Sequence, residues 1–126
     1  YVSSNSLKVN INGNVTLSKR NTATTENLLA IYQAHLDYDD VTPMSMEFIG
    51  GDSPNLTVTG NTYAIQSMGS VDFSNMTFTA AAEYYGVHAE TIRFDRCSII
   101  TTGLAGTDIK SSTGIYSNDL SIVDCS

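Results

Sequence analysis

At 126 residues the chain has room for one ordinary domain, and with 15% charged and 41% hydrophobic residues it fits neither a disordered segment nor a membrane protein. Six Lys and Arg against thirteen Asp and Glu leave a net charge of −7. That balance excludes nucleic acid and anionic membrane surfaces, both of which are held by clustered cations, and no apolar run approaches the roughly 20 residues a spanning helix needs.

The chain opens at Tyr1-Val2-Ser3-Ser4, without Met and without a basic and then apolar leader, which reads as a mature product or a cut piece of a longer polypeptide. Residues 1–45 are irregular. Leu7-Lys8-Val9-Asn10-Ile11, Val15-Thr16-Leu17 and Leu29-Ala30-Ile31-Tyr32 read as strands separated by polar turns such as Asn12-Gly13-Asn14. The stretch from Thr25 to Leu36 also accommodates an amphipathic helix capped by Thr25. Asp37-Tyr38-Asp39-Asp40, followed by Pro43, reads as a protruding loop.

Residues 46–126 carry a repeat. Ala64-Ile65 leads into Val71-Asp72-Phe73-Ser74-Asn75-Met76-Thr77-Phe78. Gly86-Val87 leads into Ile92-Arg93-Phe94-Asp95-Arg96-Cys97-Ser98-Ile99. Gly114-Ile115 leads into Leu120-Ser121-Ile122-Val123-Asp124-Cys125-Ser126, and Met46-Glu47-Phe48 supplies a degenerate earlier copy. The spacings are 25, 21 and 28 residues, which is the length and variability of a solenoid whose turns accept insertions. Period-two alternation points Val71 and Phe73, Ile92 and Phe94, and Leu120 and Ile122 inward. A phase shift at Asn75, Arg96 and Asp124 marks a bend that turns Met76, Cys97 and Cys125 inward as well. The predicted fold is all-β, a right-handed parallel β-helix with like residues stacked in columns. Because Ser126 follows a good copy with no polar cap, the chain is expected to continue in a longer parent or to stack end to end with another subunit.

This repeat resembles that of the pectate-lyase-like superfamily, over roughly residues 46–126. The resemblance implies one of several roles: polysaccharide lyase, glycoside hydrolase, phage tailspike or non-catalytic surface adhesin. It does not choose among them. In lyases of that superfamily, outward carboxylates on one sheet bind Ca²⁺ beside an Arg or Lys base.

The outward columns here run Glu47, Asp72, Arg93, Ser121 and, beside it, Ser74, Asp95, Val123. Asp72, Asp95 and Glu47 offer oxygen ligands for Ca²⁺ with Arg93 nearby. Three carboxylates interrupted by an Arg make a poor cage, so ion pairs Asp72–Arg93 and Arg96–Asp124 on a solvated face are the preferred reading. Asp72 and Asp95 also suit the carboxylate spacing of a glycosidase, as many acidic pairs on such a surface do. The acids Asp37, Asp39 and Asp40 lack the Gly and Glu of a calcium loop.

His35 and His88 have no ligand-spaced partners, and no nucleophile elbow or phosphate loop accompanies the Ser, Thr and Cys residues. No catalytic residue and no metal ligand is therefore assigned. Cys97 and Cys125 share a repeat position, and parallel stacked side chains strain a disulfide, which favours buried free thiols. Exposed tyrosines suit sugar rings, and Tyr32, Tyr38, Tyr63, Tyr84, Tyr85 and Tyr116 are the candidates. Tyr84 and Tyr85 precede a regular strand and, with Asp72, Arg93 and Asp95, are the candidate ligand-binding residues; adjacent strand residues point opposite ways, so one of the two tyrosines is expected to be buried.

Abundant Ser, Thr and Asn match secreted or cell-surface β proteins, whereas the triplets at Asn14, Asn55 and Asn75 arise readily by chance in so Thr-rich a chain. The expected function is a non-catalytic secreted or cell-surface module, acting as adhesin, scaffold or glycan-contacting surface. The partner would be a polysaccharide or a host-cell glycan. The rivals are a fragment of a polysaccharide lyase or glycoside hydrolase and a trimeric phage-type spike.

Overall fold

The structure, a computed structural model, describes residues 5–18, 30–35, 39–60, 62–103 and 113–126. Within them the chain forms strands β1 (Ser6–Ile11), β2 (Asn14–Ser18), β3 (Ile31–Gln33), β4 (Ser45–Gly50), β5 (Asn55–Thr59), β6 (Tyr63–Ser67) and β7 (Ser70–Ser74). They continue as β8 (Thr77–Ala81), β9 (Tyr85–His88), β10 (Thr91–Asp95), β11 (Ser98–Thr102), β12 (Thr113–Tyr116) and β13 (Asp119–Val123).

Every third strand pairs in parallel with the next of its kind. Sheet one has the order β1-β4-β7-β10-β13, sheet two β11-β8-β5-β2 and sheet three β12-β9-β6-β3. Three consecutive strands make one rung, and the stack is a parallel β-helix. The period-two pattern is the cause: alternate side chains bury toward the axis, and a parallel in-register ladder is what stacks like on like.

The inner columns are those expected from the repeat. In sheet one, Leu7, Met46, Val71, Ile92 and Leu120 stack, as do Val9, Phe48, Phe73, Phe94 and Ile122. Sheet two contributes Val15, Leu56, Phe78 and Ile99, and sheet three Ile31, Ile65, Val87 and Ile115. Met46, Val71 and Ile92 are fully buried, while Leu120, on the last strand of its sheet, is 50% exposed. Burying each large apolar side chain is worth about 1.5–3 kcal/mol, and this axial core holds the rungs together.

The bend between sheets one and two has a backbone origin. Asn75, Arg96 and Asp124 have φ of 55°, 51° and 51°, left-handed values that break the alternation and turn the chain. The next residue then points inward: Met76 and Cys97 are buried, and Cys125 is half-buried. Rung-to-rung hydrogen bonds continue through this corner, Asn75 N–H donating to the Asp95 carbonyl and Arg96 N–H to that of Val123, each at 2.9 Å. Both cysteines are free thiols, and Cys125 Sγ accepts the Cys97 N–H at 3.2 Å.

The variable repeat length has a structural counterpart. Repeats of 25, 21 and 28 residues keep one register along sheet one, so the extra residues fall between strands and not within them. The N-terminal strands expected at Leu7–Ile11 and Val15–Leu17 form, and they complete the first rung. Ile31–Gln33 is a strand, which overturns the helix alternative over that part, and Thr25 lies outside the described residues. At the corner between sheets three and one, buried Gln33 accepts from Ser67 Oγ at 2.7 Å and donates to the Ser45 carbonyl at 3.0 Å, so the polar pair is satisfied.

Candidate functional site

Each sheet presents one outward face, and the three differ in chemistry. On sheet one the register places Lys8, Glu47, Asp72, Arg93 and Ser121 in one column, and Asn10, Ile49, Ser74, Asp95 and Val123 in the next. Asp72, Arg93 and Asp95 are thus brought together as expected, along a shallow groove that Glu47 also lines. Partial burial, and then the charge of Glu47, raise the Asp72 carboxyl above its ordinary pKa, while Arg93 pulls the other way.

The ion pairs differ from those expected. Arg96 pairs with Asp95 at 3.1 Å rather than with Asp124, because Arg96 occupies the left-handed bend directly after Asp95. Lys8, which the sequence reading left out of this column, pairs with Glu47 at 3.3 Å. Asp72 and Asp95 sit one rung and two residues apart, about 8 Å between Cα atoms for a rung of about 4.8 Å and a rise of about 3.3 Å per residue. Among the described residues, no three His, Cys, Asp or Glu side chains converge as metal ligands.

Sheet three carries an aromatic face. Tyr63 and Tyr85 are register partners whose rings stack at 5.3 Å, with planes 19° apart. Tyr85 meets Tyr116 at 5.3 Å and 51°, and His88 meets Tyr116 edge-on at 5.1 Å. Stacked, Tyr63 and Tyr85 cover one another and offer edges and hydroxyls to solvent. Tyr116 is inclined to the stack and 49% exposed, so about half of its surface is open to solvent. Burial lowers the His88 pKa, keeping the ring neutral at pH 7, and its Nδ1 lies 3.4 Å from Gln66 Nε2.

Of the paired tyrosines, Tyr85 joins this array and Tyr84 is exposed in the preceding turn. Neither is buried, since Tyr85 begins β9 on its outward face and Tyr84 lies before the strand. Tyr63 and Tyr116 are among the tyrosines the sequence offers for sugar contact, and the fold gathers both around Tyr85. Their signal was position: each precedes or follows the small and β-branched pair that recurs as Ala64-Ile65, Gly86-Val87 and Gly114-Ile115.

Sheet two is the third kind of face. Its outward columns are Asn14, Asn55, Thr77, Ser98; Thr16, Thr57, Thr79, Ile100; and Ser18, Thr59, Ala81, Thr102. None of these residues is charged.

At the corner between sheets three and one, His35 Nδ1 lies 3.3 Å from Asp40 Oδ2 in a cleft that Met44, Met68 and Glu90 also line. Asp40 accepts from the Thr42 N–H at 2.9 Å, and the Thr42 hydroxyl, then this N–H, hold its carboxyl below the ordinary range in a solvated turn. Asp37 and Tyr38 lie outside the described residues.

Comparison with protein-family models, with curated proteins and with solved structures returned no match for this chain.

Proposed function

We propose that the chain is a non-catalytic module of a secreted or cell-surface protein, and that it contacts glycans through the outward face of sheet three. The observation that carries this reading is the Tyr63–Tyr85–Tyr116 array, where a half-exposed ring stands beside phenol edges and a neutral imidazole. Apolar sugar faces pack on open aromatic rings while their hydroxyls pair with phenols and amides. The resemblance of the repeat to the pectate-lyase-like superfamily, many of whose members handle polysaccharides, agrees with this reading.

Titration of the protein with neutral oligosaccharides, followed by the amide signals of β6, β9 and β12, tests it. Perturbations confined to sheet three, and about a fivefold or greater loss of affinity in Tyr116→Ala, are expected for one aromatic contact. Binding that leaves those signals unmoved, or no binding across a neutral glycan panel, contradicts the assignment.

One observation favours a second reading, a fragment of a polysaccharide-cleaving enzyme. Asp72, with its raised pKa, is suited to donate a proton, and Asp95 lies in the same groove at a separation compatible with an inverting pair. Turnover of a polysaccharide that disappears in both Asp72→Asn and Asp95→Asn would establish it.

A further inference from the structure

We infer that the outward face of sheet two is a lattice that adsorbs to ice. Twelve outward positions span four rungs, and ten of them are Asn, Ser or Thr; the exceptions are Ala81 and Ile100. None of the twelve is charged, whereas Lys8, Glu47, Asp72, Arg93 and Asp95 crowd sheet one. The partner is therefore uncharged.

Its second property is regularity. Thr16, Thr57 and Thr79 stand in register on consecutive rungs, and Thr57 and Thr59 repeat two residues apart along one strand. Rungs are about 4.8 Å apart, and a two-residue step advances about 6.6 Å. The face is thus a two-dimensional grid, and its rung spacing is close to an oxygen repeat on the surface of ice. Threonine suits each grid point because its χ1 is stiff in a strand, so hydroxyl and methyl repeat with the backbone. The hydroxyl bonds to lattice water, and the methyl fills the gap between waters. Asn55 Nδ2 donates to Asn14 Oδ1 at 2.8 Å, fixing one border of the grid by a side-chain ladder.

A glycan surface is the competing uncharged partner. Sheet two has no aromatic ring on its outward side, so it lacks the platform sheet three provides. The inference stands on a different face from the proposed glycan contact and is independent of it.

Cooling a solution of the folded chain around a single ice crystal tests the inference. The expected result is a faceted crystal whose growth is arrested below its melting point. In Thr57→Lys/Thr79→Lys the arrest should fall by about tenfold, as when central contacts of an interface are removed. Asn118→Lys, in the exposed turn before β13, should leave it unchanged. Circular dichroism checks that each variant folds, and Thr16→Lys on the first rung gives the same readout should the double variant not fold. An unshaped crystal with the wild-type chain, or undiminished arrest in folded lysine variants, overturns the inference. So does adsorption to insoluble cellulose or chitin through this same face without any effect on ice.

Discussion

Phe73 and Phe94 stack with ring centroids 4.8 Å apart and planes 9° from parallel. The separation is that of neighbouring strands, so the two rings are one step of the axial ladder that also holds Phe48 against Phe73 at 5.2 Å. Phe78, from sheet two, closes on Phe73 at 4.3 Å. Phe73 therefore touches rings on three sides.

Phe73→Ala should cost about 3–5 kcal/mol in urea denaturation, since it opens a cavity that three fixed rings cannot collapse into. A double-mutant cycle with Phe94→Ala should show a coupling of about 0.5–1.5 kcal/mol for the stacked pair. Additive losses would mean that the rings do not meet.

Arg96 is a long side chain held at φ 51°. A left-handed residue that is not Gly costs about 1–2 kcal/mol, and Gly gives part of this back through its own entropy in the unfolded chain. Arg96→Asn or Arg96→Gly should therefore leave stability equal or raise it by up to about 1 kcal/mol, while β-branched Arg96→Val should lower it by about 1–2 kcal/mol. The lost pair with Asp95 weighs little, because Arg96 is well solvated. Thermal melts of the three variants rank them.

Asp72 makes stability depend on pH in an uncommon direction for a carboxylate. Its folded pKa lies above the ordinary 3.8, mainly through burial, so the folded state binds the proton more tightly than the unfolded state does. The contribution of this group is greatest below 3.8 and declines as pH rises through the raised folded value. Asp72→Asn should be slightly more stable than the wild type at neutral pH, with the advantage vanishing in acid. Solvent screening keeps the difference below about 1 kcal/mol. Denaturation curves of both proteins on either side of that window check the sign.

The cysteines should react unequally. Burial pushes the Cys97 thiol up, which lowers its thiolate fraction, and its sulfur is enclosed between rungs. Cys125 is half-buried on the last rung. A maleimide should label Cys125 first and Cys97 only as fast as the chain opens, as counted by mass spectrometry.

Much of this architecture was legible in the chain. Val71, Ile92 and Leu120 alternate with polar neighbours and recur before a shared bend, so strand phase and stacking follow from one repeat. The bend itself was visible as a phase shift at Asn75, Arg96 and Asp124, whose left-handed backbone is its cause. The faces were less legible. Outward residues carry no burial signal, so Thr16, Thr57 and Thr79 look like ordinary β-formers until the register aligns them. Tyr116 shares its register position with His88 and not with Tyr85, so its place beside the Tyr63–Tyr85 stack shows only once the strands are aligned. Arg96 meets Asp95 and not its counterpart Asp124 on the next rung, a choice that the left-handed backbone of the bend makes and that leaves no mark in the residue pattern.

Nuclear Overhauser contacts between backbone protons of β7, β10 and β13 test the in-register parallel stack most directly. The stack predicts strand contacts that link Asp72 to Arg93 and Arg93 to Ser121, with the sequence offset constant along each pair of strands. Contacts whose partners run in opposite chain directions, or none between these strands, would contradict it and remove every surface built on it.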